Sequence, residues 1–132
     1  MAQTNSRSVR GYCKFYKDCI EDLLAYAEHE LSLGQKGKDG KTLRETLEVV
    51  ERITGKKPQD LINPVDLPEF LTPLWQDFIS LNQTRQSGMS AQPISYLEID
   101  AYSRLMQKKF SKFDVITIKR LDALSMKEFN KE

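Results

Sequence analysis

The chain has 132 residues, 39% hydrophobic and 30% charged, with 20 basic against 19 acidic side chains and a formal net charge of +1. That length supports one domain with a modest core, and near-neutral charge gives no general pull toward nucleic acid or a membrane surface. No apolar run approaches the length of a membrane span, and MAQTNSRSVR lacks the apolar centre of a secretion signal, so the expectation is a protein that stays where it is made.

The first predicted helix runs roughly from Ser8 to Leu33. Its apolar stripe is Tyr12, Tyr16, Cys19, Ile20, Leu23, Leu24, Ala27 and Leu31, at helical spacing. Cys13 and Cys19 stand about 9 Å apart along such a helix. That excludes a disulfide between them and predicts reduced core or half-buried thiols. His29 is the one histidine, so a zinc site of Cys and His is not expected. It sits in AEHEL, a helical surface setting.

The stretch GQKGKDGKT, Gly34 to Thr42, invites comparison with a phosphate-binding loop. That loop needs two glycines flanking four residues before Lys and Ser or Thr. Counting back from Gly40 the first glycine should fall at position 35, which is Gln35. The segment before it is helical, and no run of β-branched residues offers a parallel sheet. The reading is a flexible basic loop between helices, with no nucleotide, cofactor or metal.

A second helix follows from Thr42 to about Thr54. Thr42 and Glu45 form a capping box and Gly55 suits the C-terminal cap. Leu43, Leu47, Val50 and Ile53 are its expected buried face. KKPQDLINPVDLPEF, with Pro58, Pro64 and Pro68, is extended or turned. Asp66 as cap, Glu69 three residues on, and a Val65–Phe70 staple then predict a third helix to about Arg85. Leu71, Leu74, Trp75, Phe78 and Leu81 share one of its faces, and Pro73 falls early enough to shift its start. The loop QSGMSAQP leads to a fourth helix, with Ser95 and Glu98 as a capping box, Ile94 and Ile99 as staple, and Tyr102, Leu105 and Met106 continuing the stripe. The signal repeats at Ser111 and Asp114, between Phe110 and Val115. A fifth helix carries Val115 or Ile116, Ile118, Leu121, Leu124 and Phe129.

The prediction is therefore an all-α small bundle of about five helices over 1–132. A helical hairpin (1–57) and a three-helix unit (66–132) are joined by the Pro-rich linker 58–65 and packed as one domain. Glu45, Glu69, Glu98 and Asp114 are occupied as caps. Asp18, Glu21, Asp22, Glu28 and Glu30 read as a solvated face, so no pair of carboxylates is singled out for acid–base work and no enzyme is expected. One alternative comes from SYLEIDAYSRLMQKKFSKFDVITIKRLDAL, a helix–turn–helix-like segment. Lys108, Lys109, Lys112, Lys119 and Arg120 could face DNA, although Asp114 and Asp122 oppose it.

LWQDFISLNQTRQSGMSAQPISYLEIDAYSRLMQ resembles a family of small proteins of tailed bacteriophages, the tail assembly chaperones, encoded just before the tape measure protein. Trp75, Phe78, Leu81 and Arg85 carry the resemblance. So do Pro93-Ile94-Ser95-Tyr96, Glu98-Ile99, Ala101-Tyr102 and Arg104-Leu105, and later Ile118 and Leu121-Asp122. GKDGKTLRETLEVVERITGKKP is similar to a stretch upstream of this pattern, so the resemblance spans about 37–124. Residues 1–36 have no counterpart. The chain departs from the pattern at SKFD, where many relatives have Pro and Glu.

The resemblance implies a non-catalytic protein-binding module in the host cytoplasm. Its partners would be the tape measure protein and the tail tube protein. The chain is expected to be monomeric or weakly self-associating, with no membrane or nucleic-acid role. A minor structural protein of the tail is the further alternative. Trp75, Phe78, Arg85, Pro93, Tyr96, Tyr102 and Arg104 are the candidate contacts. Trp75 and Tyr102 are the expected anchors, set against a simple core role, and Arg85 and Arg104 are expected to be exposed.

Overall fold

The computed structural model describes residues 6–85 and 92–129, with side chains over 15–85 and 92–128. Among the described residues the chain is all-α. Its helices are α1 (Ser6–Leu33), α2 (Leu43–Thr54), α3 (Thr72–Gln83), α4 (Tyr96–Leu105) and α5 (Lys112–Phe129), with 3₁₀ turns at Gln59–Leu61 and Glu69–Leu71. The side chains of Tyr12, Cys13 and Phe129, and most of the loop before Pro93, lie outside the described residues.

Three helices start where cap chemistry puts them. Thr42 Oγ1 accepts from the Glu45 N–H at 3.1 Å while Glu45 accepts from the Thr42 N–H at 3.3 Å. Ser95 and Glu98 repeat the box at 3.1 and 3.2 Å, and Ser111 and Asp114 do so at 3.1 and 2.9 Å. Each satisfies orphan donors of the first turn, worth about 1 kcal/mol. Gly55 ends α2 at φ 75°, its N–H donating to Glu51 O at 2.8 Å.

The third helix corrects the expectation. It begins at Thr72 with Pro73 in its first turn, and Asp66 caps nothing. A start at Leu67 would put the residue before Pro68 in the α region, which proline disfavours. It would also bury Pro73 in the helix interior, against the carbonyl of Glu69. The 3₁₀ turn Glu69–Leu71 absorbs the difference, and Phe70 stays open, its ring 5.9 Å from that of Phe15 rather than serving as a staple.

The core draws on four helices. Cys19, a free thiol, with Ile20, Leu23 and Ala27 of α1, meets Leu74, Phe78 and Leu81 of α3, Ile99 of α4, and Ile118 and Leu121 of α5. Ile94, just before α4, is fully buried among them. The main seam is α1 along α5, and α5 packs next on α3.

Two apolar faces do not reach this core. No residue of α2 is buried, and Leu43, Val50 and Ile53 are open, Ile53 at 78% exposure. Polar groups hold α2 to α1 instead. Glu30 accepts from Arg44 at 2.8 Å and from Asn63 Nδ2 at 3.1 Å, and Asn63 also donates to Tyr26 O. In α4 the stripe stops at Tyr102. Leu105 is 82% exposed and Met106 is open, because Gln107 turns left-handed at φ 56° and Lys108 N–H closes back on Ser103 O at 2.8 Å.

The glycine loop folds back on itself as a hydrogen-bonded turn. Lys36 and Thr42 form an antiparallel bridge, Gly37 N–H donates to Lys41 O at 2.9 Å, and Gly40 sits at φ 80°, where a side chain would be strained. It leaves α1, not a strand.

Candidate protein-binding surface

The seven candidate contact residues divide by burial. Phe78 is fully buried, and Trp75 is half-buried between Tyr26 and Phe78, ring centroids 5.5 and 5.8 Å away. Pro93 and Tyr96 are exposed. Arg104 is open and pairs with Asp100 along α4 at 3.2 Å. Tyr102 is half-buried; its hydroxyl donates to Asp77 at 2.8 Å and its ring stacks on Phe110 at 6.2 Å. Burial, together with the Asp77 hydrogen bond, raises its pKa above the ordinary tyrosine value.

Arg85, expected at the surface, is an internal residue. Its side chain is 3% exposed and pairs with Asp122, 4% exposed, at 2.5 Å. The guanidinium also donates to Asn82 Oδ1 at 2.8 and 3.0 Å and to Gln92 O at 2.6 Å. The other Asp122 oxygen accepts the buried Ile94 N–H at 3.1 Å, and Lys119 donates to Ile94 O at 2.6 Å. These bonds latch the segment before α4, a short strap, onto the C-terminal end of α3 and the middle of α5, with Ile94 pressed into the core. A buried carboxylate is tolerable only when paired in this way. Arg85, Ile94 and Asp122 are all positions on which the family resemblance rests. They make a structural unit.

The sequence reading assigned no role to Asp77 or to Lys119 as a strap holder. Asp77 is buried and takes both Tyr102 and Lys108, the latter at 3.2 Å. Its signal was its place among Leu74, Phe78 and Leu81, where a carboxylate must face the core. Lys119 holds Ile94 O and lies 4.9 Å from the Tyr96 ring centroid. Two of the five cations of the DNA reading are thus engaged internally.

An open aromatic cluster was not anticipated. Phe15, Phe70 and Phe113 are each about half exposed or more. They connect through Tyr16, whose ring lies 6.1 Å from Phe70 and 6.2 Å from Phe113. Through Tyr16 and Phe113 the cluster borders one end of a groove between α1 and α5, with Phe15 and Phe70 beside it. The first lobe, about 580 Å³, is floored by Tyr16, Ile20, Phe113 and Ile116; a second of about 450 Å³ continues past Leu24 and Leu124. The readable signal was a second stripe on α5, Phe113, Ile116, Arg120 and Ala123, beside the core stripe of Ile118 and Leu121. Contiguous exposed apolar ground of this kind is unusual on a protein surface unless something covers it.

Among the described residues no three His, Cys, Asp or Glu side chains cluster as metal ligands would, and no helix is long and apolar enough to cross a membrane. No curated protein and no solved structure matches the chain. A family model described as phage tail assembly chaperone matches residues 50–127, more than half of the chain. The match runs from within α2 to near the end of α5 and takes in both sides of the Arg85–Asp122 latch. The chain therefore belongs to the phage tail assembly chaperone family.

Proposed function

We propose that this chain keeps a tail protein soluble during assembly, the tape measure protein first, by seating its amphipathic helices in the α1–α5 groove until tube subunits displace them. The observation that carries this reading is the aromatic-rimmed groove, with Phe15, Phe70 and Phe113 open to solvent beside it. A long helical client carries apolar stripes that aggregate when uncovered, and a groove between two helices is a standard receptor for such a stripe. The role is binding, not catalysis. Among the earlier candidate contacts, Pro93, Tyr96 and Arg104 remain outside the core and stand as a secondary rim. A role in DNA reading is not retained, because Lys108 and Lys119 are tied to Asp77 and Ile94.

The test is co-expression with a tape measure fragment. Wild type should raise the soluble fraction of the fragment and co-purify with it; Phe113→Ser with Phe70→Ser should lose both while remaining folded. Arg104→Glu is a usable surface control, whereas Arg85→Glu would break the latch. A folded wild type that neither solubilises nor retains any tape measure or tube fragment would refute the function.

A further inference from the structure

The two lobes of the groove meet at one pair of residues. Glu21 on the α1 wall and Arg120 on the α5 wall line both lobes, so they mark its middle. Both side chains are exposed, and neither makes a hydrogen bond or an ion pair among the described residues. Lys17, one turn before Glu21, and Asp114, whose carboxylate accepts the Ser111 N–H at 2.9 Å as the α5 cap, carry the opposite signs on the two walls but line the first lobe alone, away from the middle. From Tyr16 to Glu28 the α1 wall extends about 18 Å, a little over three helical turns.

We infer that the groove takes a single partner helix of about three turns, carrying a basic residue on the flank facing α1 and an acidic residue on the flank facing α5, and takes it in one direction. This rests on the binding role proposed above and specifies its occupant. An uncharged apolar helix would strip water from Glu21 and Arg120 and return nothing, which is costly for charged groups. A helix with the two opposite charges restores both. Direction follows from geometry. Turning the helix end for end with its apolar face down exchanges its flanks, setting acid against Glu21 and base against Arg120. Charge pairs of this kind contribute register and orientation more than raw affinity.

A second copy of the chain is the poorer occupant. Its open α4 stripe, Leu97 and Leu105, is flanked by Asp100 and Arg104, which already pair with each other at 3.2 Å. On α2 Arg44 is held by Glu30, which leaves Arg52, beside the open Ile53, as that helix's one cation without an ion pair among the described residues, and the dimer measurement below decides for that face.

The experiment uses full-length protein and three side-chain-stapled helical peptides of about fourteen residues sharing one Leu/Ala stripe. The first has Lys and Glu on opposite flanks, the second has those flanks exchanged, and the third has Gln on both. A nitroxide at the peptide N-terminus reports direction through broadening of amides near Phe113 or near Ala123. The first two should bind about 3- to 10-fold more tightly than the third, the worth of two partly exposed ion pairs. They should broaden opposite ends of the groove. In the charge exchange Glu21→Arg with Arg120→Glu, shown to be folded by circular dichroism, the broadened ends should swap. Equal affinity for all three peptides, or broadening at the same end whatever the flanks, would overturn the inference. So would a concentration-dependent dimer lost on Arg120→Glu, which would assign the groove to a second copy. If no peptide binds while a tape measure fragment is still solubilised, only this inference falls; the loss of that solubilisation is what removes the proposed function.

Discussion

One face of α5 buries Asp122 and Ser125 beside Ile118 and Leu121, while the adjoining face leaves Phe113 and Ile116 in the open. Polar groups are inside and large apolar groups outside, on the same 18-residue helix. The first departure is compensated within the chain: Asp122 meets Arg85 and the Ile94 N–H, and Ser125 reaches Asn82 Oδ1 at 3.3 Å. The second has no compensation within the described residues. Polarity buried and paired fixes where one segment docks; apolar surface left open is the ground on which the proposed binding role rests. The matched span supplies the whole latch but only one wall of the groove, since α1 lies outside it.

The strongest way to break this comparison is Asp122→Ala. It leaves Arg85 buried without its carboxylate and Ile94 N–H without an acceptor, and removing one partner of a buried ion pair costs about 3–5 kcal/mol. For a chain of this size that lowers the melting temperature by roughly 10 °C or more. The double replacement Arg85→Met with Asp122→Leu should recover part of the loss, because a well-packed apolar pair often equals a buried ion pair, but not all of it, because the Ile94 N–H still lacks an acceptor. Thermal unfolding followed by circular dichroism distinguishes these cases. An Asp122→Ala variant as stable as wild type would mean that the latch is not what holds the strap.

The caps at Thr42, Ser95 and Ser111 were legible because they depend on neighbours three residues apart, and such local chemistry is written in a few consecutive positions. The core stripe of α5 was legible for a similar reason. The position of Arg85 was not. Alone, an arginine at the end of an amphipathic helix reads as solvent-facing, and its burial depends on Asp122, 37 residues later. The face of α2 was misjudged because periodicity reports which residues share a face, not whether another element arrives to cover it. The start of α3 carried two competing signals, an Asp66 cap and the prolines at 68 and 73, and backbone sterics outweighed the cap.

A smaller effect separates the latch from Asp77, a second buried carboxylate. Tyr102→Phe removes one hydroxyl from Asp77, which keeps Lys108 at 3.2 Å, so the cost should be about 1 kcal/mol. The hydroxyl also titrates in a known direction. Burial and the Asp77 bond hold the folded pKa above the ordinary 10.0. Between the unfolded and folded values the native state keeps a proton that the unfolded chain has lost, so stability is complete below about pH 10 and falls as pH rises beyond it. Urea unfolding at pH 8 and pH 11 should show a steeper loss for wild type than for Tyr102→Phe. Identical losses would remove Tyr102 from the account.

The smallest expected change in stability belongs to the open face of α5. Phe113 is 65% exposed and contributes little burial, so Phe113→Ser should shift unfolding by about 0.5 kcal/mol or less. The same substitution removes the aromatic wall of the first lobe and the Tyr16 contact at 6.2 Å. Its effect on client binding should therefore be disproportionate to its effect on folding, the reverse of Asp122→Ala, which should lose binding only as far as it unfolds. Measuring both quantities on both variants sharpens the comparison to one ratio. If Phe113→Ser destabilises the chain as much as a core aromatic would, about 3–5 kcal/mol, then that face is part of the fold, and the groove cannot be the surface the chaperone keeps for its partner.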